Sequence, residues 1–599
     1  MRDLAFAALV ALAAALVASI VQNDFYLRII FTICVYFLCA TGMNVLLGYA
    51  GQKSLGQAGL FAAGAYSAAL LTTSADLDPW LSLVLATAIS AFFGIVIAVP
   101  SLRVRGPSLA MVTLAFGIVA EKLVTEASDI FGGAMGIYSI KPLTFGGEPL
   151  TMTQWVWLAV GLSFVVHVMI RNLLVGRFGR AFRSIQADEI AASAVGVKVL
   201  GYKVIAFVIA AATCGLAGSL VAQQNQYINS DFINFNLSVL ILLTVLFGGS
   251  GSLAGPILGS TILTVLSSYL ARWGWIEHFA NGALLLFALY VMPRGVAGVL
   301  EDLFARSRPA PAAGIPPKTA SVDDARLFRA RSSATQLLSV EGVTKTYGGI
   351  KPANNVGFSL TSGHIHALIG PNGAGKSTMI NMLTGIVRPN AGRILFGGQE
   401  VHRKPVHAIC AAGIARTFQN LRLFRDLSVL DNVMLGNHSR MKNGFFRSML
   451  GLASGDEDAA RRRAIDIIGF VGLTHVQSAK ASSLAYGLQR RVELARALAS
   501  EPKLLLLDEP AAGLNPIETD ELGDLLLRIR DTGITILLVE HHMDMVMRIS
   551  DHIVVLDYGE KIAEGPPAAI QCNPRVAVAY LGSDDGVEPL MPEIKLAGG

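Results

Sequence analysis

From about position 4 to position 300 the chain reads as long apolar stretches separated by short polar breaks, without the period of a surface helix or of a half-buried strand. A hydrocarbon core about 30 Å thick is crossed by about 20 apolar residues in a helix. Such runs lie near 4–21, 26–47, 55–72, 80–99, 108–124, 153–170, 202–221, 237–249, 254–271 and 279–297, and predict ten spans. The stretch Gly248-Gly249-Ser250-Gly251-Ser252, followed by Gly255-Pro256, shortens the eighth run to a broken or re-entrant helix, so a count of eight stays open. Beyond Leu337 the pattern changes. Short apolar and β-branched runs, His364 to Ile369, Lys503 to Leu507 and Thr535 to Val539, each precede a loop and a helical segment, which predicts an α/β domain with a mainly parallel sheet. Between them, Arg308-Pro309-Ala310-Pro311 and Ile315-Pro316-Pro317-Lys318 mark a linker that cannot bury a core. The expected division is a multi-span α-helical membrane domain over 1–300, a linker over 301–336, an α/β domain over 337–582 and a tail over 583–599.

Composition supports that division. The chain is 53% hydrophobic and 15% charged, and of its charged residues about 27 fall in the first 300 positions against about 64 afterwards. The net charge of +5 comes without Lys/Arg blocks, which excludes a nucleic-acid footprint and fits contact with membrane lipid. Cys34, Cys39, Cys214, Cys410 and Cys572 form no CxxC pair, so neither a disulfide framework nor a zinc site is expected. Met1 to Val21 lacks a clear Ala-x-Ala cleavage site and reads as a first span more than as a secretory signal. With ten spans, Arg2, Lys53, Arg103, Arg105, the segment Arg171 to Lys203, and Arg294 fall on one side, and Asp24, Asp76, Asp78, Glu148 and Asp231 on the other; Lys141 and Arg272 are exceptions. Basic residues stay on the cytoplasmic side, which places both termini there.

Two motifs carry chemistry. Gly370-Pro371-Asn372-Gly373-Ala374-Gly375-Lys376-Ser377-Thr378 follows an apolar strand and opens a helix, the context of a phosphate loop. Its glycines let backbone N–H groups close on phosphates, Lys376 reaches the β/γ oxygens, and Ser377 is placed for Mg²⁺. About 130 residues on, Leu504-Leu505-Leu506-Leu507-Asp508-Glu509 is a buried strand ending in two acids: Asp508 suits the Mg²⁺ shell and Glu509 the polarisation of an attacking water. Small residues crowd Gly56 to Ala69 and Ala210 to Gly218, which close helix packing explains. Asn44, Gln52 and Gln57 are the polar candidates for a substrate path.

Residues 337–582 resemble the ATPase domain of ABC transporters, which implies ATP and Mg²⁺ as cofactors. The resemblance assigns Tyr347 to stacking on adenine. Gln419, in Arg416-Thr417-Phe418-Gln419, becomes the glutamine that senses Mg²⁺ and the γ-phosphate, and His541 the switch histidine. The family's Leu-Ser-Gly-Gly-Gln signature stands here as Leu484-Ala485-Tyr486-Gly487-Leu488, without the serine, and Asn515 replaces the usual aspartate of Ala512-Gly513-Leu514-Asn515. Both changes resemble the ATPase subunits of branched-chain amino acid importers. Residues from about 40 to 300 resemble the permease of the same importers, through Gly48-Tyr49-Ala50-Gly51-Gln52-Lys53-Ser54-Leu55-Gly56-Gln57, Leu102-Arg103-Val104-Arg105-Gly106-Pro107 and Gly132-Gly133-Ala134-Met135-Gly136. Gly179 to Gly196 is similar to the importer coupling loop that docks on the ATPase. The resemblance implies a half transporter in the bacterial inner membrane that works with a second permease, a second ATPase subunit and a periplasmic solute-binding protein. An ABC exporter half, or a nucleotide-gated regulatory protein that does not hydrolyse ATP, are the alternatives.

The expected orientation is directly testable. With the native cysteines replaced, a cysteine at Ala187 should be shielded from an impermeant thiol reagent in intact cells and one at Gly147 should react; the opposite labelling overturns the span count.

Overall fold

The computed structural model describes residues 2–581 except 22, 102, 103, 105, 271–278, 280, 281, 285, 288, 289, 293 and 307–335. The expected tail, most of the linker, much of the tenth apolar run, and Arg103, Arg105 and Arg272 lie outside the described residues. The chain forms two compact units: one of Met1–Ala187, Val199–Ala312 and Gly444–Ala453, the other of Asp188–Lys198, Ala313–Asn443 and Ser454–Gly599.

The first unit is helical. Among the described residues six stretches are long and apolar enough to cross a membrane, namely Asp24–Tyr49, Pro79–Ser101, Pro107–Glu126, Met152–Val175, Val199–Asn225 and Ser230–Gly248. Leu4–Ile20 and Gly255–Leu270 are apolar but shorter. The run at 55–72 becomes the helix Gln57–Thr73, and that at 237–249 ends at Gly248 before a new helix starts at Gly255. Asn44 repairs this break: its amide accepts from the Gly251 N–H at 2.8 Å and donates to the Ser252 carbonyl at 2.8 Å, so irregular backbone is satisfied without water. Gln57 is also fully buried, held by Met43 and Cys214, and Gln52 donates to the Ala50 carbonyl.

The two small-residue stretches meet. A Cβ on Gly64 would lie 2.2 Å from the Gly215 carbonyl oxygen, and one on Gly218 2.2 Å from that of Phe61, so the helices Gln57–Thr73 and Val199–Asn225 touch backbone to backbone. In lipid, where apolar burial drives no association, such contact supplies the attraction. Gly444–Ala453 also packs into this unit: Phe445 meets Phe178 edge-on at 5.7 Å, and the Met449 carbonyl accepts from the Asn172 amide at 3.4 Å.

The described residues of the second unit form ten strands: β1 (Gln336–Tyr347), β2 (Ile350–Thr361), β3 (Ile365–Ile369), β4 (Ala391–Phe396), β5 (Gln399–Glu400), β6 (Ile414–Arg416), β7 (Leu504–Asp508), β8 (Thr535–Val539), β9 (His552–Asp557) and β10 (Glu560–Gly565). One sheet runs β6-β7-β8-β3-β9-β10, parallel but for the last pair, and a second, antiparallel, runs β2-β1-β4-β5. Every residue of β3, β7 and β8 is buried. Alternation splits them: Ile365, Ala367, Leu505, Leu507, Ile536 and Leu538 enter one core, and Leu368, Leu504, Leu506, Leu537 and Val539 the other. This is why the strands read as unbroken apolar runs.

One polar side chain interrupts β3. His366 is 2% exposed, its Nε2 accepts from the Thr361 N–H at 2.9 Å, and burial pushes its pKa down from 6.5 to about 4. Above pH 6.5 the ring is neutral in both folded and unfolded chains. As pH falls from 6.5 towards 4 the unfolded chain gains a proton that the folded one refuses, so stability drops by up to about 1.4 kcal/mol per unit. His366→Gln keeps an acceptor without a titrating group. Its unfolding midpoint for the second unit should fall less between pH 7 and pH 5 than the parent's, by about 5 °C in calorimetry; equal falls would remove His366 as the cause.

Candidate active site

Four neighbouring parallel strands, β6, β7, β8 and β3, end at one edge of the sheet and deliver the candidate residues there. Gln419 follows β6, Asp508 closes β7 with Glu509 beyond it, His541 follows β8, and the phosphate loop leaves β3 at Gly370. This edge is where ligands bind in open parallel sheets.

Packing fixes the loop's shape. Gly370 and Gly375 have φ of 151° and 99°, and a Cβ on either would lie 2.1 Å from the Leu556 carbonyl oxygen or 1.9 Å from that of Pro352. Asn372, Gly373 and Ser377 are exposed, and Lys376 to Thr378 form the first turn of the helix Lys376–Leu383, whose free N–H groups favour anions. The Lys376 ammonium is buried and donates to the carbonyls of Gly370 at 2.7 Å and Pro371 at 2.9 Å. Burial lowers its pKa, against the opposing charges of Glu509 and Asp508.

Glu509 stands at φ 48°, in left-handed backbone that a side chain rarely adopts. Its N–H still bonds the Val539 carbonyl at 2.8 Å. The carboxylate lies between two predicted partners, with Oε1 3.0 Å from His541 Nε2 and Oε2 accepting from Gln419 Nε2 at 2.9 Å. Asp508 is buried with one oxygen on Arg416 at 2.8 Å, while Oδ1 has no hydrogen-bond partner among the described residues. Tyr347 is half-exposed at the end of β1, opposite Ile350, with the Lys345 ammonium 5.0 Å from its ring centre.

The signature segment lies elsewhere in the unit. Ala485 caps the helix Tyr486–Leu498 with no side-chain bond, Tyr486 is 42% exposed, and Gly487 abuts the Glu518 carboxylate. Asn515 forms a capping box with that same Glu518 and so starts the next helix. The structure therefore gathers Gln419, Asp508, Glu509, His541 and the phosphate loop at one edge, and places Ala485, Tyr486 and Gly487 against the start of the helix Pro516–Asp531.

Three supporting residues were not anticipated. Arg416 joins Asp508 to Asn381 at 2.6 Å, and burial lowers its pKa against the attraction of Asp508. Arg490 donates to the carbonyls of Phe418 at 2.7 Å, Gln419 at 2.6 Å and Glu509 at 3.3 Å, and pairs with Glu493 at 2.9 Å. Glu540 accepts from the N–H groups of Ala511 and His541. A charge closing an apolar strand, as Arg416 and Glu540 do, was the available signal, because a buried charge needs a partner. Also in this unit, Asp188 caps the helix Glu189–Ala194 and pairs with Arg422, three residues past Gln419.

Both parts of the chain are similar to known proteins. Residues 25–289 match the branched-chain amino acid transport system permease component, 353–512 the ABC transporter family, and 560–586 the branched-chain amino acid ATP-binding cassette transporter family. The high-affinity branched-chain amino acid transport ATP-binding protein LivG of Escherichia coli K12 is 45% identical over 249 residues, 41% of this chain and 98% of that protein. BraF of Pseudomonas aeruginosa, of the same description, is 41% identical over 249 residues, again 41% of this chain and 98% of that protein. A nucleotide-free ATP-binding cassette from an ABC transporter is 31% identical, with a TM-score of 0.37, over 41% of this chain and all of that one. The chain belongs to the branched-chain amino acid ABC transporter family and joins a permease to an ATP-hydrolysing cassette in one polypeptide.

Proposed function

We propose that this chain couples ATP hydrolysis to the import of branched-chain amino acids or related small polar solutes across a bacterial inner membrane, with the cassette in the cytoplasm. The observation that carries the reading is the Glu509 carboxylate held between His541 and Gln419 beside a phosphate loop, on a chain that also carries a permease. The permease match favours import over the exporter and the non-hydrolysing alternatives. In this reading the permease spans 1–300 and the cassette 337–582.

Lys376 and the loop N–H groups bind the phosphates, and Tyr347 offers a ring to the adenine. Glu509 orients a water and takes its proton as the water oxygen bonds phosphorus and the bond to the β-phosphate oxygen breaks, giving ADP and phosphate. His541 holds the Glu509 carboxylate in place. The orphaned Asp508 oxygen fits Mg²⁺, with the Ser377 hydroxyl and Gln419 as the other holders. When bound, that ion neutralises charge on the phosphate oxygens. Asp188 and Arg422 carry the state of the glutamine loop to the segment Glu189–Ala194, the coupling element of the permease.

Glu509→Gln keeps the shape and the Asp508 site but removes the base. ATP binding should persist while hydrolysis falls about 10²-fold or more, in a complex whose second ATP site is inactivated. Undiminished hydrolysis takes Glu509 out of this role.

Assembly follows from the signature. Its Ala485 segment packs against Glu518 at the start of the helix Pro516–Asp531, so in this reading a partner closes the Lys376 site, and two copies of this chain would give both sites the serine-less form. The functional complex then contains a separate ATPase chain, a separate permease and a periplasmic solute-binding protein. Mass measurement and uptake in proteoliposomes with binding protein and ATP test this: the chain alone should be inactive, and full stimulated uptake by a dimer of it would defeat the proposal.

A further inference from the structure

The helical unit holds a cavity of about 260 Å³ among the helices Asp24–Met43, Gln57–Thr73 and Val199–Asn225 and the residues that lead into Phe235–Gly248. Its walls differ in chemistry. Phe31, Phe61 and Val221 form an apolar side, while Arg28, Gln224 and Asn225 supply cationic and amide groups. The volume is on the scale of a single amino acid, below the roughly 300–1,000 Å³ of drug-sized sites.

Arg28 is exposed, and among the described residues it pairs with no carboxylate. Nor does the cavity wall contain an acidic side chain. Among the described residues Gln224 donates only to the Met152 sulfur, at 3.8 Å, which leaves its amide oxygen as an acceptor. Asn225 is the last residue of a 27-residue helix, whose final carbonyls lack donors within the helix and carry partial negative charge. The site thus offers a guanidinium for a carboxylate, a helix C-terminus with two amides for an ammonium, and an aromatic and aliphatic wall for a branched side chain.

We propose that this cavity is a binding site for the transported zwitterion, with Arg28 holding the α-carboxylate, Gln224 and Asn225 the α-ammonium, and Phe31, Phe61 and Val221 the side chain. The proposal rests on the import reading above and names the residues that would select its substrate. An arginine that only anchors its helix at the lipid surface would keep its place there without sensing the solute.

Thr32 lines the same cavity and reports on it. In the assembled complex with native cysteines replaced, Thr32→Cys is labelled with a thiol reagent in the presence of leucine, leucinamide or 4-methylpentanoate, and leucine uptake is measured on the same preparation. Leucine should slow labelling, and leucinamide, without the carboxylate, or 4-methylpentanoate, without the ammonium, should do so about tenfold less well. Adding Arg28→Gln should abolish the preference for leucine over leucinamide, and Arg28→Lys should restore part of it. Equal protection by the three solutes, or protection unchanged in Arg28→Gln, overturns the site. Leucine uptake without protection overturns the site alone, and absence of uptake of leucine, isoleucine and valine by the complex with Thr32 intact overturns the branched-chain part of the import reading together with it.

Discussion

In the cassette, β3, β7 and β8 are buried on both faces, so they have no side chain free for a ligand except at their ends. Chemistry is confined to the loops that leave the shared edge, and the loops inherit the spacing of the strands. Parallel neighbours stand about 4.8 Å apart. Four of them in succession therefore bring residues up to 171 positions apart, from Gly370 to His541, into one small region. Glu509 follows directly: its strained backbone is tolerated because the Val539 carbonyl still takes its N–H and β7 is locked between β6 and β8.

Below that edge lies a layer of buried charge. Arg416 pairs with Asp508, and Arg490 and Arg496 share Glu493, all at or below 9% exposure. Removing one member of such a pair strands the other, at a cost of about 3–5 kcal/mol, far more than an exposed pair contributes. Arg490 is central here because three of its contacts are backbone carbonyls, of Phe418, Gln419 and Glu509. It ties the glutamine loop to the strand end that carries Glu509, and it belongs to the helix that follows the signature. A shift of that helix therefore bears on the position of both residues.

The helical unit answers a different constraint. With lipid as solvent, every backbone group must find an internal partner. Asn44 meets this at the break between Gly248 and Gly255, and the glycine contacts at Gly64 and Gly218 let two helices approach closely enough for dispersion to hold them. The polar side chains expected to line a path, Asn44, Gln52 and Gln57, are engaged in holding the backbone or packed on sulfur. Arg28, four residues into the helix Asp24–Met43, went unnoticed as a candidate because nothing in its local sequence separates a binding arginine from a helix anchor.

The amino-acid order alone determined whatever depends on local pattern. Apolar run length marked the helical half, unbroken apolar strands marked a parallel sheet, and a glycine-rich turn before Lys376 marked the phosphate loop, because each rests on residues adjacent in the chain. The identities of Glu509, Gln419 and His541 were legible through their motifs, but their convergence on one carboxylate was decided by strand order, which no local pattern encodes. Arg416 meets Asp508 across 92 positions and Asn44 meets Gly251 across 207, and only the tertiary structure brings such residues within a hydrogen bond's reach. A buried charge or amide is satisfied by whichever group the fold places beside it, so its partner is a property of packing and not of sequence distance.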